Sequence, residues 1–145
     1  MSTAISLGLS DFREMRAHGI FYADKSHLIR DLLDVPNPAV LFTRPRRFGK
    51  SAALSLLRAY FERSAEDLTP LFHDLLIWQA GDSYRAHFQR YPVIHLSFKE
   101  AKAATWAECE KAVVAELSRA AAEHRYLLES GVIYEDEALR LRALL

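Results

Sequence analysis

Cysteine is almost missing from this chain: Cys109 is the only one in 145 residues. A lone thiol excludes an internal disulfide framework, and no Cys/His cluster has the spacing that a zinc site needs. Neither sign of charge is in excess, since Lys plus Arg and Asp plus Glu each number 19. No overall field therefore favours a polyanion, and any affinity for nucleic acid has to come from a local patch. Long apolar runs are absent too. Nothing approaches the roughly 20 residues that cross a bilayer, and the N-terminus has no basic segment followed by an apolar core. These absences lead us to expect a soluble protein of the reducing cytoplasm with no membrane partner. Half of the residues are hydrophobic, and a chain of this size can bury about 68–70% of its unfolded surface. One domain over residues 1–145 is the default. No repeat, low-complexity tract or linker interrupts it.

What is present is concentrated in residues 39–51, Ala-Val-Leu-Phe-Thr-Arg-Pro-Arg-Arg-Phe-Gly-Lys-Ser. A short apolar run leads to a basic loop, and Gly49-Lys50-Ser51 opens a periodic segment with Ala53, Leu54, Leu57, Tyr60 and Phe61 at helical spacing. A strand, a tight turn and a helix in that order make a phosphate-binding loop, in which backbone N–H groups and the helix N-terminus face an anion. Arg46, Arg47, Phe48, Gly49, Lys50 and Ser51 are the candidate nucleotide-binding residues. Lys50 would reach the β- and γ-phosphates, and Ser51 would ligate Mg²⁺. In the full pattern G-x-x-x-x-G-K-[ST] the first glycine would stand where this chain has Arg44. The loop must then begin in a conformation open to a residue with a Cβ, with Pro45 fixing φ just after it.

The remaining patterns are mostly helical. Ser10 can cap a helix through His18 that Gly19 ends, and Ser26 can cap one carrying Leu28, Ile29, Leu32 and Leu33, stopped at Pro36-Asn37-Pro38. Thr69-Pro70 opens another short segment. Thr105 with Glu108 forms a capping box before a long helix whose inner stripe is Trp106, Cys109, Val113, Leu117, Ala120, His124 and Leu128. Gly131 breaks it, and residues 135–145 read as a last helix. Val93 to Phe98 is the second expected strand, after Ala39 to Phe42, which reads as buried on both faces, and a third is expected near residues 20–23. The fold expected is α/β: a P-loop NTPase-type three-layer arrangement on a parallel sheet, with the sheet incomplete.

Tyr22-Ala-Asp-Lys-Ser26, Leu41-Phe-Thr-Arg-Pro-Arg-Arg-Phe-Gly-Lys-Ser51, Tyr60-Phe-Glu62 and Tyr91-Pro-Val-Ile-His-Leu-Ser-Phe-Lys99 together resemble the AAA-ATPase-like proteins of bacteria. The resemblance runs from about Leu9 to the neighbourhood of Arg125. It implies ATP and Mg²⁺ as cofactors and makes an arginine at position 44 a family trait. Many of these proteins carry a PD-(D/E)XK nuclease-like domain further along. The family's acidic strand, a run of aliphatics ending in an Asp-Glu-Tyr-Asp-like segment, is not found before Leu145, so the chain reads as the N-terminal portion of a longer ATPase domain. Leu139, Leu141, Leu144 and Leu145 then expect cover from the rest of that protein or from a partner.

Two function classes follow. One is a nucleotide-binding ATPase module that holds the phosphate site without the hydrolytic acids; Glu100 is the nearest acid after the second strand. The other is a non-catalytic interaction or nucleic-acid-associated module in which the loop is vestigial and Arg44, Arg46 and Arg47 serve a partner. Asp24 and Lys25 match the Tyr-x-Asp-Lys-[ST] motif of the family. They either border the nucleotide beside the phosphate-loop helix, or the Asp caps the helix that follows. His95 reads as a core histidine, and no histidine is paired with a second metal ligand.

Overall fold

A computed structural model of the chain describes residues 9–35, 39–43 and 45–145, apart from the side chain of Glu100. The proline-bounded helix stop at 36–38 and Arg44 lie outside the described residues. The chain divides into two compact units, Met1–Val93 and Ile94–Leu145.

The first unit is built on helix α3 (Lys50–Phe61), preceded by α1 (Phe12–Ala17) and α2 (His27–Asp34) and followed by the short helices α4 (Leu76–Gln79) and α5 (Asp82–Arg85). Asp11, not Ser10, caps helix α1: its carboxylate accepts the Glu14 amide at 3.0 Å and also accepts the Ser55 hydroxyl at 3.1 Å. Ser55 Oγ in turn accepts the Phe12 amide at 2.9 Å. One carboxylate thus caps α1 and fastens it to α3. Gly19 follows with φ +62°, the left-handed turn that ends the segment.

The core of this unit is aromatic. Tyr60, Phe12, Phe72, Ile29, Leu56 and Ile77 are fully buried, and the rings of Tyr60, Phe72 and Phe88 meet edge to face at centroid distances of 5.2–5.4 Å. Burial pushes the Tyr60 hydroxyl up to about 12, and it donates to the Tyr84 carbonyl at 3.0 Å. At the end of α3, Arg58 grips Glu62 through two 3.0 Å bonds. Next to that pair, Arg63 N–H donates to the Tyr91 carbonyl at 2.8 Å and Tyr91 N–H to the Phe61 carbonyl at 2.9 Å.

Those last contacts make a parallel bridge between Glu62 and Tyr91; apart from a bridge residue at Ile20, no other described residue is in strand pairing. The expected three-layer P-loop-type fold on a parallel sheet is therefore overturned. Residues 39–43 and 93–97 run outside any helix, as the apolar runs suggest, but among the described residues no ladder joins them to another segment, and the third strand near residues 20–23 is reduced to a single bridge residue, Ile20. An extended segment satisfies its backbone groups only across a ladder, whereas a helix satisfies them internally. Ala39 to Phe42, expected to be buried on both faces, is exposed, Leu41 to 85%.

In the second unit, helix α6 (Trp106–Glu123) opens with the expected capping box between Thr105 and Glu108. It ends at Glu123, earlier than its apolar stripe suggests, and a 3₁₀ segment (Arg125–Glu129) leads to α7 (Glu135–Leu144). Ala120, Ala121 and His124 are buried, as is Ala138 of α7. Glu116 is the polar centre: one oxygen accepts the Ser97 amide at 2.5 Å, and Arg119 bonds both oxygens at 2.8 and 3.0 Å. These bonds, led by Arg119, hold the Glu116 carboxyl down at about 2. His95, half-buried, lends its carbonyl to Arg119 at 3.3 Å.

Two predictions follow from these anchors. Because the Glu116 carboxyl sits below its ordinary 4.5 in the folded chain, its stabilising contribution is complete above pH 4.5 and disappears as pH falls through about 2. A carboxyl NMR titration should place its midpoint near 2, and Arg119→Ala should move it back toward 4.5. In the first unit Ser26 is fully buried and its hydroxyl accepts the Ile77 amide at 3.0 Å. Ser26→Ala orphans that amide and should cost about 1–3 kcal/mol in urea unfolding.

Candidate functional site

Residues 45–50 make the tight turn the sequence suggests. Arg47 has φ +68° and Gly49 has φ +73° with ψ 23°, so two left-handed residues fold the chain back just before α3. A left-handed arginine carries strain that glycine avoids. Gly49 is the N-cap of α3, and among the described residues no side chain caps that helix end. The amides of its first turn, Lys50 and Ser51 among them, point back toward the loop, at the positive end of a 12-residue helix.

The Lys50 ammonium curls over the same loop and donates to the Pro45 carbonyl at 2.8 Å. Ser51 follows it in the first turn, half-buried. Phe48 is 58% exposed. Arg46 and Arg47 are exposed, and neither makes an ion pair among the described residues. Of the sequence candidates, the loop therefore brings Gly49, Lys50 and Ser51 together at the helix start and leaves both arginine side chains outward.

Beside the turn lies a cavity of about 460 Å³ lined by Lys25, His27 and Leu28 from the Tyr22–Ser26 motif and the start of α2, by Val40 and Phe42, and by Phe48 to Lys50 with Ala53, Leu54 and Leu57. Helix α3 is thus apolar on two sides. Leu56, Ala59 and Tyr60 face the core, while Ala53, Leu54 and Leu57, expected in the core stripe, line the cavity. Its described lining carries lysines and a histidine but no carboxylate. Glu100, the acid nearest to hand in sequence, has its side chain outside the described residues.

Lys25 is the residue whose place the sequence left open. A Cβ built on Gly49 would stand 3.1 Å from Lys25 Nζ. Asp24, by contrast, does not cap the helix after it. One oxygen accepts the Ser26 amide and the other the Leu76 amide, both at 2.8 Å, so Asp24 and Ser26 together hold the start of α4. The signal was the spacing itself: in extended chain, residues two apart share one side and the residue between them faces the other.

Among the described residues no group of three or more His, Cys, Asp or Glu side chains is placed to hold a metal, and no helix is long and apolar enough to cross a membrane. Ser51 supplies a single hydroxyl. That suits Mg²⁺ in the usual nucleotide arrangement, where phosphate oxygens and water make up most of the shell.

A family model described as "Predicted AAA-ATPase" matches residues 6–142. No curated protein and no solved structure matches the chain.

The left-handed turn yields its own test. Gly49→Ala forces a Cβ into a φ of +73° and against Lys25 Nζ, and should cost about 1–3 kcal/mol of stability in a denaturant titration.

Proposed function

The chain belongs to the AAA-ATPase-like family, and from that premise we propose that it binds a nucleoside triphosphate, ATP in the family's general chemistry, through the turn at residues 46–51. The observation that supports this reading most directly is the Lys50 ammonium folded onto the Pro45 carbonyl at 2.8 Å, above a helix end that no described side chain caps. An ammonium and a set of backbone amides converge on one small region, and these are the two kinds of donor that a phosphate group needs.

In this reading the first-turn amides of α3 and the loop amides from Arg46 onward receive a phosphate. Lys50 neutralises oxygen charge, and Ser51 gives one ligand to Mg²⁺. Held there, Mg²⁺ would supply positive charge against the phosphate. The residues of this chain do the remaining work: Gly49 lets the backbone come close, Phe48 and the apolar lining keep water from one side, and Arg46 and Arg47 are available to outer phosphate oxygens. Hydrolysis needs in addition a carboxylate to steer water, and the described cavity lining has none. We therefore propose binding with weak or no turnover by residues 1–145.

Calorimetry with ATP and Mg²⁺ tests the proposal. The chain should bind, and Lys50→Ala should weaken binding by about tenfold to a hundredfold, the range for losing a charge-assisted contact. DNA binding with a steep salt dependence that Lys50→Ala leaves untouched, in the absence of ATP binding, would replace this reading with a nucleic-acid one.

A further inference from the structure

We propose that Lys25 is a second phosphate ligand of this site, its ammonium acting alongside that of Lys50 on the same polyphosphate. The inference rests on the phosphate-binding reading above and adds a residue to it from outside the loop and helix.

The position of Lys25 is fixed on both sides. Asp24 spends both carboxylate oxygens on the Ser26 and Leu76 amides, and the hydroxyl oxygen of fully buried Ser26 accepts the Ile77 amide. Upstream, the Tyr22 ring packs edge to face on Phe12 at 5.2 Å. The backbone under Lys25 is thus held at three points, and its side chain alternates away from the α4 contacts toward the start of α3. There its Nζ lies 3.1 Å from where a Gly49 Cβ would stand.

That is a poor place for a cation on its own. The N-terminus of a helix carries partial positive charge and disfavours ammonium groups. Lys50 already brings one, and Lys25 and Lys50 line the same cavity. The described lining has no carboxylate, Lys25 makes no ion pair among the described residues, and the adjacent Asp24 is committed to backbone amides. Two like charges at the positive pole of a helix are stabilised when an anion of more than one charge sits between them and the amides. A di- or triphosphate fits that need better than a monophosphate.

The test compares the 145-residue wild type with Lys25→Met, Lys25→Arg, Lys50→Ala and, as a surface control, Lys99→Met, using ATP, ADP and AMP with Mg²⁺. Lys25→Met should lower ATP affinity by about tenfold or more. The loss should shrink from ATP to AMP, Lys25→Arg should retain part of the affinity, and Lys99→Met should match the wild type. The melting temperature of the nucleotide-free protein should not fall in Lys25→Met. A second readout needs no variant: ATP should shield Lys25 and Lys50, but not Lys99, from an amine-acylating reagent followed by peptide mass spectrometry. Wild-type ATP binding that Lys25→Met leaves intact, or Lys25 acylated equally with and without ATP, overturns the role of Lys25 alone. If the wild type binds no nucleotide at all, the phosphate site itself falls and this inference falls with it.

Discussion

Everything near the loop depends on how the start of α4 is satisfied. A short helix presents unpaired amides at its N-terminus, and burying them without acceptors is costly. Asp24 and Ser26 supply the acceptors from fifty residues earlier in the chain, at 2.8 and 3.0 Å. That cross-link fixes the path of the Tyr22–Ser26 segment, and with it one wall of the cavity and the reach of Lys25. In a chain whose described residues form no sheet, these side-chain-to-amide bonds give the long-range order that a strand ladder would otherwise give.

Helix α3 carries the other half of the arrangement. Its first turn belongs to the loop, its middle divides between core and cavity, and its last turn is pinned by Arg58, Glu62 and the bridge to Tyr91. Because Tyr60 and Leu56 are fully buried while Leu54 is 46% exposed, the core grips the C-terminal part of the helix and leaves the N-terminal face open to the cavity. Position and access are thereby separated along one helix.

Local signals were legible in the sequence where a few adjacent residues decide the outcome. The Thr105/Glu108 box, the Gly49 turn and the helix beginning at Lys50 appear where spacing put them, since capping and left-handed geometry are settled within a turn. Caps that depend on tertiary partners were misread: Ser26 sits at the start of α2 yet serves Ile77, and Asp24 serves Leu76. The parallel sheet failed for a related reason. Apolar runs such as Val40 to Phe42 show that a segment suits a strand, but a strand also needs a neighbour, and hydrophobic pattern alone does not provide one. The family was legible because its motifs are contiguous. The place of Lys25 was legible only by half: alternation turns it away from Asp24 and Ser26, but that the start of α3 lies on that side is a tertiary fact that no spacing encodes.

Arg47 holds a left-handed backbone without the benefit of being glycine. Such a conformation lasts only where its surroundings impose it, so the bend is in place before anything arrives. In the proposed reading, an incoming anion would find residues 45–50 already folded. Recognition at this turn would then proceed by simple docking, at a speed set by diffusion and charge and not by rearrangement of the loop, and selectivity would lie in the fixed spacing of the donors.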